Sequence, residues 1–159
     1  MTDPAADVVS QVKCSVAAEV VRTHGRLRLR VTGLSMLPAV WPGDIVTVEA
    51  REPSQLAPGE LVLVEDAGRL RLHRLIASQA SGAEILLVTR GDSLSYDDPP
   101  VRAEQVLGVV TSIRRGAACV APSNRRSRLA CLFSNRSVTL AALRMRSLFA
   151  GKETLGNVS

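Results

Sequence analysis

The chain has 159 residues, enough for one domain whose core needs neither disulfides nor metals. Apolar residues make up 46% and exclude a disordered composition, while aromatics at 3% leave the core to Val, Leu, Ile and Ala. The formal net charge of +5 admits an anionic partner, but no aromatic-interleaved basic motif is present, so no nucleic acid is expected.

The first element in chain order is an amphipathic helix over Asp7 to His24. Val8, Val12, Val16 and Val20 recur at helical spacing and Gly25 supplies the stop. Arg26 to Val31 alternates charged and apolar residues, as a half-buried strand does. Gly33 to Pro38 reads as a turn or very short helix, and Trp41-Pro42-Gly43-Asp44 as a turn. Strands follow at Ile45 to Val48 and Glu60 to Glu65, with a loop from Glu52 to Gly59 between them. The second strand ends at Asp66-Ala67-Gly68, and Arg69 to Ile76 pairs with it as a hairpin. Glu84 to Thr89 is a further strand, Gly91 to Pro100 a polar loop, and Val106 to Ile113 a strand with a bulge expected at Gly108. Six short strands with turn signals between them predict a mainly β fold, an antiparallel folded sheet or barrel, rather than an α/β fold.

From Arg125 the pattern turns helical. Leu129, Leu132, Phe133, Leu140, Leu143 and Leu148 fall near one face, and Arg125, Arg126, Arg128, Arg136, Arg144 and Arg146 surround them. The expected organisation is a helix over 1–25, a β domain over 26–118 and a basic amphipathic tail over 119–159. Peripheral contact with an anionic membrane is one expectation for that tail, solubility alone the other. No window has the apolar length of a membrane span, and the N-terminus has neither a basic nor an apolar leader segment, so a cytoplasmic location is expected. Cys14, Cys119 and Cys131 form no C-x-x-C pair, which argues against zinc and thioredoxin chemistry; no metal and no cofactor is expected.

The segment richest in chemistry is Val31-Thr32-Gly33-Leu34-Ser35-Met36-Leu37-Pro38, followed by Pro42-Gly43-Asp44. A serine in a glycine-containing turn after a strand can expose its hydroxyl and leave backbone N–H groups free for an oxyanion. Serine alone is a weak nucleophile and needs a base within hydrogen-bond reach. These residues resemble the G-x-S-M-x-P…G-D box of signal peptidase I and of the self-cleaving SOS repressors. The resemblance implies that Ser35 is the nucleophile, that Met36 and Gly33 border the substrate site, and that Gly43 and Asp44 are structural.

The base of that clan is usually a lysine on a later strand. The matching strand here, Arg69 to Ile76, has no lysine; it has His73 in an H-R-L-I context. This is similar to the endoplasmic-reticulum and archaeal signal peptidases, in which histidine takes the lysine's place. A third box, Gly91-Asp92-Ser93-Leu94-Ser95-Tyr96-Asp97-Asp98, matches the family's G-D aspartate at Asp92 and a downstream acid at Asp97 or Asp98. An aspartate on the second imidazole nitrogen would fix the tautomer of the base. Asp92 and Asp98 stand level for that role. The oxyanion would rest on backbone N–H groups, since Gly33 offers no hydroxyl where some signal peptidases have one.

The expected function is a serine endopeptidase cleaving a specific peptide or protein precursor, bound as an added β-strand. The alternative is an inactive peptide-binding module of the same fold. A repressor-like regulator would need a helix-turn-helix, for which the residues before the first strand are too few.

Overall fold

The computed structural model describes residues 4–82, 84–125 and 139–144. The chain opens with helix α1 (Pro4–His24) and then builds one antiparallel sheet of eight strands. These are β1 (Arg26–Arg30), β2 (Ile45–Glu49), β3 (Leu61–Asp66), β4 (Arg69–Ser81), β5 (Glu84–Arg90), β6 (Val101–Arg102), β7 (Val106–Arg115) and β8 (Ala118–Val120). Their order is β1-β2-β7-β3-β4-β5-β6, with β8 added on β7. The fold is thus mainly β, as the close spacing of short strands predicts.

Both faces of the sheet are buried at its centre. Leu61 and Leu63 face one apolar cluster and Val62 and Val64 the other, which is why β3 reads as an unbroken apolar run. The first cluster joins Ala18 and Val21 of α1 to β2, β3 and β7 and to Met36 and Val40. The helix therefore serves as a layer over one face of the sheet. The second cluster joins Val62, Val64, Leu75, Leu87 and Val101 on the other face.

Strand β7 slips register twice, against β2 between Thr47 and Val48 and against β3 between Leu63 and Val64. Gly108 sits at this irregularity, where a Cβ would stand 2.3 Å from the Glu49 carbonyl oxygen. Only glycine lets the strands approach so closely. Two short strands, β6 and β8, lie outside the six that the pattern predicts, and β4 runs on to Ser81 instead of stopping at Ile76.

The two halves of β4 have different partners. Arg69 to Arg74 pair with β3, while the pairing with β5 begins at Arg74 and continues to Ser81. Leu70 to His73 consequently have no strand on their other edge among the described residues. Strand β1, among the described residues, pairs with β2 alone. No helix among the described residues is long and apolar enough to cross a membrane. Of the expected tail over 119–159, Cys119 and Val120 belong to strand β8, residues 121–125 form neither helix nor strand, and residues 139–144 are helical; Leu129, Leu132, Phe133 and Leu148 lie outside the described residues.

Candidate active site

The turn after β1 is held from three sides. The Val31 amide donates to the Asp44 carbonyl at 2.8 Å and the Gly43 amide to the Val31 carbonyl at 2.7 Å, closing the loop on itself. The fully buried Asp44 carboxylate accepts from the Trp41 amide at 2.8 Å and from Arg115 of β7 at 2.7 Å. Met36, Leu37 and Val40 are buried in the interior, each worth about 1.5–3 kcal/mol for a full-sized apolar side chain. These anchors leave Ser35 half-buried at the surface end of the turn, beside the exposed Gly33.

His73 comes from β4 and is buried. Its Nε2 lies 3.0 Å from Ser35 Oγ, and its Nδ1 lies 2.5 Å from Asp98 Oδ2. That carboxylate oxygen also accepts from Thr89 Oγ1 at 2.6 Å, and the Asp98 amide donates to the Thr89 carbonyl at 2.8 Å. Arg71 Nε stands 3.7 Å from the same oxygen. Asp98, Thr89, His73 and Ser35 form one continuous line of polar contacts.

Asp92 does not enter that line. It pairs in bidentate fashion with Arg74, Oδ1 to Nε and Oδ2 to Nη2, both at 2.7 Å. Arg74 Nη1 donates onward to the carbonyls of Gly59 and Ser123 at 2.6 Å each. The reason is the alternation of a strand: consecutive residues point to opposite faces. His73 and Arg74 therefore reach two different aspartates of one loop, and the two acids that stand level in the sequence separate in space. Asp97, the remaining acid, faces Arg90 at 3.4 Å on the surface.

The loop that carries both aspartates is also fastened to the serine turn. The Ser93 amide donates to the Ser35 carbonyl at 2.9 Å, and Ser93 Oγ donates to the carbonyls of Ser35 and Leu34 at 3.0 and 3.2 Å. Gly91 packs so tightly here that a Cβ would meet Ser35 at 2.8 Å from its carbonyl oxygen and 2.9 Å from its Cβ. Sequence reasoning passes over Ser93, Thr89, Arg71 and Arg74. The one available sign is Arg74, which stands where the alternation of Arg69 to His73 calls for an apolar residue, since a cation on the buried side of a strand requires a carboxylate.

Ser35 and His73 open onto a cleft of about 760 Å³, within the range of ligand sites. Its walls are α1, the free edge of β1 and the free edge of β4, and Gly33 and Met36 both line it. Lys13, which stands on α1, lines it too. Among the described residues no group of His, Cys, Asp and Glu side chains could hold a metal ion. Cys14 is a buried residue of α1; desolvation first and the nearby Glu65 second push its thiol above its ordinary range.

Residues 4–113 match the family model described as Peptidase S24-like. No curated protein matches the chain.

Proposed function

Because the chain belongs to the Peptidase S24-like family, we propose that it is a serine endopeptidase that cleaves a specific peptide or protein precursor, with Ser35 as nucleophile, His73 as general base and Asp98 as the group that orients the base. The observation that carries this reading is the unbroken contact line from Ser35 Oγ through both imidazole nitrogens to the Asp98 carboxylate.

In the proposed reaction the substrate lies extended along the free edges of β1 and β4, as a strand added to the sheet. Ser35 Oγ attacks the scissile carbonyl while its proton passes to His73 Nε2. Asp98 holds the Nδ1–H side of the ring, so that Nε2 is the acceptor and the imidazolium that forms is stabilised. The oxyanion is taken by the Ser35 amide, which has no acceptor among the described residues, in keeping with a Gly33 that offers no hydroxyl. His73 then gives its proton to the leaving amine, and the C–N bond breaks to leave an acyl group on Ser35. Water attacks that ester with His73 again as base, releasing the acid and restoring the hydroxyl. Met36 and Gly33 border the cleft where the residue before the scissile bond would sit.

Ser35→Ala and His73→Ala test this assignment on the full chain. Each is expected to abolish cleavage of a peptide that the wild type cleaves, with the melting temperature of Ser35→Ala unchanged. If either variant cleaves as fast as wild type, the Ser–His assignment is wrong.

A further inference from the structure

The cleft walls carry a charge pattern that the cleavage reaction does not need. Lys13, Arg30, Arg69 and Arg71 line the cleft, and among the described residues no aspartate or glutamate does. Arg71 is partly neutralised from behind by Asp66 at 2.9 Å and Asp98 at 3.7 Å, yet its buried Nε and Nη2 have no hydrogen-bond acceptor among the described residues. Lys13 and Arg30 are exposed and have no ion-pair partner among the described residues.

The apolar lining is equally ordered. Leu27 and Leu29 of β1 and Leu70 and Leu72 of β4 turn toward the core cluster beneath α1. By strand alternation Arg30, Arg69 and Arg71 turn the other way, the way His73 turns. Above the leucines, Val12 and Val16 of α1 are each 57% exposed and line the same cleft. An extended chain inserted between the two free edges would thus direct alternate side chains to unlike surroundings. One set would meet the valines and leucines, and the other set the arginines.

We propose that the cleft selects an extended peptide segment in which apolar residues alternate with aspartate or glutamate, the apolar side chains covering Val12, Val16, Leu27, Leu29, Leu70 and Leu72 and the acidic ones facing Arg30, Arg69 and Arg71, with Lys13 at the mouth. This rests on the peptidase reading for the place of the scissile bond but not for the binding preference. Charge complementarity commits the occupant to an acidic peptide, and the apolar strip between the cations distinguishes it from a polyphosphate chain. Attraction of this kind weakens as salt rises, because exposed charges are screened over about 10 Å at 0.1 M ionic strength.

The test uses the full-length Ser35→Ala chain, which binds without cutting. Three fluorescent peptides share one alternating apolar frame and differ in carrying Asp, Asn or Lys between the apolar residues. Anisotropy is expected to give the Asp peptide about tenfold tighter binding than the Asn peptide at low salt, the sum of two or three exposed ion pairs. The preference is expected to shrink at high salt, and Arg30→Gln combined with Lys13→Gln to reduce it to about threefold or less. Equal binding of the Asp and Asn peptides, binding of none of the three, or a preference that survives both substitutions would overturn the proposal. So would tighter binding of a single-stranded oligonucleotide of matching charge. Wild-type protein separates the two readings. Cleavage of the Asn peptide as efficiently as the Asp peptide removes the acidic preference and leaves the peptidase standing. Preferred binding of the Asp peptide without cleavage does the reverse.

Discussion

His73 faces a cleft, and Arg74, the next residue of β4, faces a closed interior. Both side chains are buried, and both are paired with an aspartate of the loop between β5 and β6. On the His73 side the contacts run on to a half-buried hydroxyl and end at open space. On the Arg74 side every guanidinium nitrogen is occupied, by Asp92, Gly59 and Ser123, and nothing reaches the cleft. The two-residue period of one strand is enough to send neighbouring side chains to a cleft and to a closed interior. The first aspartate would tune a base; the second staples the loop so that the first arrives in register.

The sharpest way to break this comparison is to remove the group at the open end. Ser35→Ala is expected to lower the turnover rate by a factor on the order of 10⁴ to 10⁶, the range known for loss of a triad serine, with thermal stability unchanged. Activity near the wild-type level would dissolve the distinction at once. Next comes Asp98→Asn, which keeps the shape but loses the carboxylate; the expected loss is about 10⁴-fold. Measuring turnover alongside the melting temperature separates that loss from unfolding.

On the closed side the prediction changes kind. Arg74→Ala or Asp92→Ala leaves one buried charge without its partner and is expected to cost about 3–5 kcal/mol of stability in denaturant titration. The activity of the molecules that remain folded should stay near wild type. Gly91→Ala sits between the two cases, because its new methyl group must push the Ser35 backbone aside. A misplacement of that size is expected to slow turnover by about 10²-fold. Ser93→Ala removes a side-chain clamp while keeping the backbone one, so the smallest effect, about 1 kcal/mol in stability, is expected there.

Much of this frame is legible in the sequence. Arg26 to Val31 alternates plainly, Glu60 to Glu65 marks a strand, and the serine box is dense enough to single out Ser35. Other parts had no local signal. The far half of β4, Ala77 to Ser81, is small and polar, and pairing with β5 rather than its own propensity makes it a strand. Strands β6 and β8, of two and three residues, are too short for any periodicity to show. Asp92 and Asp98 look alike because both stand in a loop; what separates them is the direction of two side chains on a different strand. Ser93 gave no sign, since its partners are backbone carbonyls that any residue possesses.

The most direct test of the account sets Asp98→Asn beside Asp92→Asn, on the full chain and on one peptide that the wild type cleaves, with the rate expressed per folded molecule. Asp98→Asn is expected to melt close to wild type and to have lost nearly all turnover, while Asp92→Asn melts markedly lower and keeps its turnover wherever it is folded. A folded Asp92→Asn chain without activity, next to an Asp98→Asn chain that still cleaves, would contradict it.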